Sequence, residues 1–589
     1  IHHQLFAMIT SGFSILLTAL VWLTYWHALR SGFVSDDIEG LQNYDGKLKK
    51  FDYGHLNKYL LYKLLDKSPL RNHLFSILLH NANVILLFSF LISFIPVKLA
   101  FYACAIFAIH PVCIQSVAWI SARGYSISLF FCLLGFNLLS LAHNASILPL
   151  DSPNSLYFAL LTILYGLTYY ISVTAQFAVL ATFALQVFLG NYFFAVIGAV
   201  ISTFAGLGIV KEGINLRKGV FKEQNLELST KFKPQKLVVA IKSLAYYTRL
   251  CVFPKRLGLY HTFNYHYSDK VEKEDKWFWL GFILLLGFGA GFWFGNNIVR
   301  FAILWYISYI FVFLNWITIH QFVSERYAYI PSIGICLLLA YGLFTVDTLF
   351  FEGYPLLLVF VGGLYLMRSW THLPTYNEEV SFYQSNVWNF PDSEVAFGNL
   401  GVIYMKCNLI GTAVDMWQIA IKINPHYDVA HYNISSVLKQ RGDFVNAMEH
   451  LKKAIDSPSC HFRELWSKEL QQLGHEISYV QELNNLSQQL ATLERDPAKF
   501  QQARDIRKQL DEVNNLHKKF EESQKSKLTL IQQEENQIKS RLIQLEQNKQ
   551  MATKPITPEE IIRARDNNFV FIKEAVNNIL KPEVIIAKS

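Results

Sequence analysis

Phe33-Val34-Ser35-Asp36-Asp37-Ile38-Glu39-Gly40 follows directly on an apolar run over 4–26. That junction decides the class of fold. About twenty apolar residues are what a bilayer asks of one helix, and the charges begin where such a helix meets water. Two adjacent carboxylates at this boundary are also equipped for chemistry, because a positioned carboxylate can take the proton of an attacking hydroxyl. A solvated turn that caps the span is the plainer alternative.

Ten more apolar runs follow, at 73–95, 97–112, 124–143, 154–173, 175–189, 192–210, 277–295, 301–319, 333–347 and 353–368. The expectation is an all-α, polytopic bundle of about eleven spans. The first run is read as a span, too long for a signal peptide. The chain is 52% hydrophobic and 17% charged over 589 residues, but this average conceals a division near residue 370. Beyond it the sequence turns polar and rich in Gln, Asn, Lys and Glu. The net charge of +8 is modest and gathers in 211–276, so no nucleic-acid partner is expected. Seven cysteines are scattered without zinc or disulfide spacing. No metal ligands are assigned; a divalent ion at Asp36-Asp37 stays open, with no third ligand at an obvious spacing.

Numbering the sides alternately puts Asp36-Asp37, His110 to Arg123, Thr174 to Gln176, 211–276 and His320 to Pro331 on one face. The opposite loops are short and featureless. Such clustering implies a single vault at one side of the bundle, read as extracytoplasmic. The Lys and Arg excess would argue the reverse, but it comes from one long loop, where the positive-inside rule loses force.

Three motifs furnish the vault. In His110-Pro-Val-Cys-Ile-Gln115-Ser-Val-Ala-Trp119-Ile-Ser-Ala-Arg123, Pro111 cannot continue the preceding helix, so the chain turns. Trp119 suits an interfacial belt and Arg123 a lipid phosphate, with a snorkelling arginine as the alternative. The stretch Tyr246-Tyr-Thr-Arg249-Leu-Cys-Val-Phe-Pro254, followed by Leu257-Gly-Leu-Tyr260, reads as an interfacial or re-entrant helix. Its Arg249 can grip a phosphate through two parallel hydrogen bonds, which lysine cannot match. Glu325-Arg326-Tyr327-Ala-Tyr329 opens an apolar helix with two charges that are costly at such depth unless paired or used. Arg326 is the preferred phosphate contact, and Glu325 orients it or serves as its counter-charge. His80, inside the second run, reads first as an interhelical hydrogen-bonding residue and second as a pocket group.

Past Trp370 a 34-residue step appears: Ala396 recurs as Ala430, Asn399 as Asn433, Ala413 as Ala447, and Ala420 as Ala454. Paired helices at this period are the tetratricopeptide pattern, with 376–391 as the second helix of a degenerate earlier unit. From Phe462 onward, apolar seams such as Leu483, Leu486, Leu490 and Leu493 predict a helical hairpin or coiled coil, with a partner or with a second copy. The expected domains are a membrane bundle over 1–370, repeats over 371–460, the hairpin or coiled coil over 461–550, and a C-terminal helix and tail over 551–589.

The order of these pieces resembles the transmembrane and tetratricopeptide-repeat O-mannosyltransferases and related bacterial repeat-bearing glycosyltransferases of the GT-C fold. The matching stretches are Phe33-Val-x-Asp-Asp37, His110-Pro-x-x-x-x-Ser-Val-Ala-Trp119 with Arg123, Tyr247-x-x-Leu-x-x-Phe-Pro254, and Glu325-Arg-Tyr-x-Tyr-x-Pro-Ser-Ile-Gly334. The resemblance implies an inverting transfer of a mannose-like sugar from a polyprenyl-phosphate carrier to protein hydroxyls. The sugar-loaded lipid is the donor, and no further cofactor is assigned beside the divalent ion left open at Asp36-Asp37. By this likeness Asp36, or its neighbour Asp37, is the general base, and Arg326 with Arg249 or Arg123 steadies the departing phosphate. His80, His110, Gln115, Gln176, Glu325 and Tyr327 line the pocket, while the repeats present the acceptor protein. The chain departs from the family pattern at Gln115, Tyr125 and Ala175-Gln176, where acidic or Lys-Glu groups are expected. Those departures carry the second reading, an inactive relative acting as a membrane-anchored scaffold.

Overall fold

The first apolar run forms one helix, α1 (His2–Tyr25), which closes in a 3₁₀ turn over Trp26–Arg30. Ser68 then caps α2 (Pro69–Leu91), accepting the Arg71 N–H, with Pro69 at the first helical position where its missing N–H costs nothing. In this computed structural model the described residues are 2–38, 59, 61–144, 235–259, 261, 275–315, 323–458, 460, 462–493, 502 and 504–519. All regular structure among them is helical. The chain divides into two compact units, Ile1–Pro391 and Asp392–Ser589.

In the first unit α3 (Val97–Ile109) stops at His110-Pro111, as the proline requires. A 3₁₀ turn (Pro111–Cys113) and the short α4 (Ile114–Ala118) continue at a bend of 50°. The expected loop over 110–123 is instead core. Apart from the exposed Ser121, this stretch is buried, Trp119 and Arg123 included. Tryptophan and arginine suit a lipid interface and a packed interior alike, and here neighbouring helices cover them. Next come α5 (Gly124–Asn144), α6 (Gln235–Val252), α7 (Lys276–Phe294), α8 (Asn297–Ile310), the single turn α9 (Glu325–Ala328), α10 (Ser332–Phe350), α11 (Leu356–His372) and α12 (Glu379–Asn389).

Helices α1, α3 and α5 pack on α2, and α10 packs between α3 and α8. At Gly334 a Cβ would strike the Ala302 carbonyl oxygen and the Tyr306 backbone, so α8 and α10 touch through their main chains. Asp275 caps α7 by accepting from Trp277 and Phe278 N–H at 3.2 and 3.1 Å, and it pairs with the buried Lys242 of α6. The far side of α7 is bare: Trp279, Ile283, Leu286, Trp293 and Phe294 are exposed. So large an apolar face calls for a lipid covering.

Five helices among the described residues are long and apolar enough to cross a membrane: Ala7–Arg30, Pro69–Leu91, Lys276–Phe294, Ser332–Phe350 and Leu356–Tyr376. The bent pair Val97–Ile109 with Pro111–Ala118 makes a sixth if counted as one span. This falls short of the expected eleven for specific reasons. The runs at 154–173, 175–189 and 192–210 lie outside the described residues, and the run at 124–143 forms α5, which is not among the five. The run at 301–319 yields only the 14-residue α8, about 21 Å of helix against a hydrocarbon core of about 30 Å.

The second unit holds two helical hairpins, α13 (Glu394–Lys406) on α14 (Ile410–Ile423), and α15 (Asp428–Gln440) on α16 (Phe444–Asp456). The 34-residue step has a physical meaning here. Ala396, Ala430, Ala413, Ala447, Ala420 and Ala454 are all fully buried, so the repeating small residues mark the packed faces of the helices. Helix α17 (Arg463–Leu493) packs on α16 and runs for 31 residues. The division between units falls at Pro391 rather than near 370. Residues 371–391 belong with the bundle, because α12 buries Phe382, Tyr383 and Asn386 within the first unit.

Candidate functional site

The two aspartates that open the site part company. Asp36 is exposed, whereas Asp37 is fully buried. The Asp37 carboxylate accepts the Ser121 N–H at 2.7 Å, the Ser121 hydroxyl at 2.5 Å and the Ile120 N–H at 3.4 Å. Burial pushes its carboxyl up to about 7, against the pull of these hydrogen bonds. Asp37 is therefore the anchor that fastens the loop to the 119–123 stretch, and it leaves Asp36 facing outward.

Other contacts clamp the same loop. Ser31 donates its hydroxyl to Asn377 Oδ1 at 2.8 Å, and Gly32 N–H donates to the Asn377 carbonyl at 2.9 Å. His73 Nε2 donates to the Gly32 carbonyl at 3.1 Å. Tyr383 donates to Ser35 Oγ at 3.2 Å, and Ser35 itself takes the left-handed conformation at φ 52°. A side chain that adopts this region without glycine's freedom is held there by its surroundings. The loop is fixed from α2, from 119–123 and from 377–383.

Arg326 lies within electrostatic range of Asp36. Its Nη1 donates to Ser324 Oγ at 2.8 Å, and its guanidinium stands 5.1 Å from the Trp119 ring and 4.9 Å from that of Tyr327. Tyr327 stacks on Phe313 with ring centroids 4.5 Å apart. Gln115 braces this turn from below: its Oε1 accepts the Ser324 hydroxyl at 2.8 Å and the Arg326 N–H at 2.7 Å. The rings of Trp119 and Tyr327 and the hydroxyls of Ser324, Tyr125 and Tyr327 hold the guanidinium, with Asp36 as the carboxylate in its electrostatic range.

Glu325 is not paired with Arg326. Fully buried, its Oε1 accepts from the Gly258 N–H and from His261 Nε2 at 3.2 Å. His261 Nδ1 is hydrogen-bonded to the Tyr246 hydroxyl at 2.9 Å, and Arg249 stands 5.9 Å from the Tyr246 ring and 5.6 Å from Trp277. Among the described residues Tyr246 and His261 link Arg249 to Glu325. Gly258 is required here. Its φ is +155°, and a Cβ would lie 2.6 Å from Asn386 Oδ1 and 2.9 Å from Phe390. The same Asn386 oxygen accepts the Leu259 N–H at 2.5 Å.

Three expected site groups, the phosphate contact Arg123 and the pocket groups His80 and His110, are engaged in packing contacts. Arg123 is buried and spends Nη1 and Nη2 on Asn72 Oδ1 at 3.3 Å, with a face on Phe75. Burial lowers it to about 10, opposed by the nearby Asp37. His80 donates from Nε2 to the Ala108 carbonyl at 3.3 Å and pairs through Nδ1 with the Tyr329 hydroxyl at 2.8 Å. His110 donates from Nε2 to the Cys251 carbonyl at 2.7 Å and accepts the Val112 N–H at Nδ1. Both imidazoles are committed at helix junctions. Gln176 lies outside the described residues. Among the described residues no three His, Cys, Asp or Glu side chains converge as metal ligands.

Ser121 and Gly258 lie within the quoted motifs but carried no role there, and His261, Asn377 and Asn386 lie outside those motifs. Of these, Gly258 carried a signal through its place in the stretch after Pro254, and His261 follows that stretch directly. The asparagines lie in 376–391, which the sequence reads as the second helix of a degenerate repeat rather than as part of the site. No family model, curated protein or solved structure matches this chain.

Proposed function

We propose that the first unit is a multi-pass membrane glycosyltransferase of GT-C type, moving a mannose-like sugar from a polyprenyl-phosphate carrier to protein hydroxyls on the extracytoplasmic side. The observation that carries the reading is the exposed Asp36 held in electrostatic range of Arg326, whose guanidinium rests on Trp119 and Tyr327. Asp36 takes the proton of the acceptor hydroxyl as its oxygen attacks the anomeric carbon. The bond from that carbon to the phosphate oxygen breaks, and its electron pair leaves with the lipid phosphate. Arg326 meets the charge that develops there. Asp37 is a positioning residue, and the apolar faces of α1, α7 and α11 suit a lipid carrier arriving from the bilayer.

The helical hairpins of the second unit are, in this reading, tetratricopeptide repeats that dock the acceptor polypeptide, and α17 begins the hairpin or coiled coil. The scaffold alternative draws its support from α17, whose 31 residues carry a largely exposed polar surface. One experiment separates the two. Purified full-chain protein and its Asp36→Asn variant are analysed for copurified lipid, then supplied with labelled polyprenyl-phosphate sugars and a protein acceptor. A carrier that accumulates in the variant and is consumed by the wild type supports transfer. Stoichiometric copurifying protein, with no carrier and no transfer in either, supports the scaffold.

A further inference from the structure

Among the buried polar atoms around this site that have no hydrogen-bond partner among the described residues are Glu325 Oε2, on the residue next to Arg326, and His372 Nε2. Both side chains are nine-tenths buried or more. They come from different elements, α9 and the end of α11, yet His372 feels His261, the residue that holds the other oxygen of Glu325. Tyr376 closes the group: its ring lies 5.6 Å from that of His372, and its hydroxyl is within interaction range of Gln115, Glu325, Arg326 and Asp37. The vacant carboxylate oxygen thus belongs to the same neighbourhood as the phosphate-seeking arginine. A buried carboxylate oxygen without a donor is costly, and native interiors supply one.

We infer that Glu325 and His372 form a hydroxyl-recognition subsite for the sugar of the donor, distinct from the Arg326 contact with its phosphate. This inference rests on the proposed donor being a sugar-loaded polyprenyl phosphate. A sugar ring offers what the site lacks, hydroxyls that donate to Glu325 Oε2 and either donate to or accept from His372 Nε2. Glu325 has its orientation fixed before any ligand arrives, because Gly258 and His261 grip its other oxygen. A rigid acceptor of this kind discriminates sharply against a carrier that lacks the hydroxyl.

The test measures binding of two probes, polyprenyl-phosphate mannose and sugar-free polyprenyl phosphate, to full-chain wild type, Glu325→Gln and His372→Phe by native mass spectrometry. His372→Phe guards against misfolding, because His372 Nε2 has no hydrogen-bond partner among the described residues and a phenyl ring keeps the contact with Tyr376. Hydrogen bonds to a charged group of about 1.5–3 kcal/mol correspond to roughly ten- to a hundredfold in affinity. Glu325→Gln is expected to lose about tenfold for the mannosyl carrier, and His372→Phe several-fold, with sugar-free binding unchanged. Equal losses for both probes would mean that the two residues only support the fold. Unchanged binding in both variants would mean that ordered water satisfies these atoms. Wild type that binds both carriers equally refutes the subsite while leaving the phosphate contact standing, and wild type that binds neither removes the donor reading itself.

Discussion

Asp37→Asn isolates the anchor from the chemistry. The wild-type carboxyl has a folded value of about 7 against an ordinary 3.8, so the native state binds this proton more tightly than the unfolded chain. The stabilisation is therefore complete below about pH 3.8 and is lost as pH rises through about 7. Between pH 5 and pH 8 the loss amounts to roughly 2–3 kcal/mol from this one group. Asparagine stays neutral throughout. It can still accept both Ser121 donors at one oxygen, and it forfeits only the 3.4 Å contact with Ile120 N–H, a cost of about 1 kcal/mol.

The two pH profiles should therefore cross. Near pH 5 the variant should unfold at or slightly below the wild-type temperature, and near pH 8 above it. The relative displacement between these pH values is on the order of 2–6 °C for a unit of this size. Tryptophan emission during heating of detergent-solubilised protein reads this directly. Only the difference between the two proteins matters, because every other titrating group cancels. Profiles that run parallel from pH 5 to pH 8 would refute the assignment of a raised, buried Asp37. A uniform loss of many degrees would show that the Ser121 contacts need a full carboxylate.

Asp36→Asn should abolish transfer of labelled sugar while leaving carrier binding and thermal stability within error of wild type, since the side chain is exposed; residual transfer above about one per cent in a single-turnover assay would exclude it as the base. Arg326→Ala should raise the donor KM by roughly ten- to a hundredfold, and Arg326→Lys should recover only part, because an ammonium cannot keep the planar contact with Trp119; full rescue by lysine in donor titrations would argue against that geometry. A chain ending at Pro391 should fold and transfer sugar to a short peptide, though less to a native acceptor. One ending at residue 370 should not, because it lacks Asn377, Tyr383 and Asn386; equal activity of the two on the peptide would contradict the clamp.

The legible parts of this molecule are those whose cause is local. Apolar length announces helices such as Pro69–Leu91 and Ser332–Phe350, proline announces the bend after Ile109, and small residues at a fixed step announce the buried seams of α13 to α16. The illegible parts depend on residues far apart in sequence. Nothing about Asn377 signals that it fastens Ser31 and Gly32, some 346 residues earlier, and nothing about Trp119 distinguishes a core aromatic from an interfacial one.

Adjacent charges illustrate the limit most clearly. Glu325-Arg326 and Asp36-Asp37 each read as one unit in the sequence, yet neighbouring side chains on a helical turn point about 100° apart and do not face each other. The fold uses that divergence. Glu325 turns inward to Gly258 and His261 while Arg326 lies against Trp119 and Tyr327. Asp37 turns inward to Ser121 while Asp36 looks out. In each pair the buried member fixes the backbone, and its neighbour is thereby presented with little freedom to move. A single charge at either place would have to choose between being held and being available. Two in succession divide the tasks, which is why the doublets, rather than the individual residues, were the informative feature of the chain.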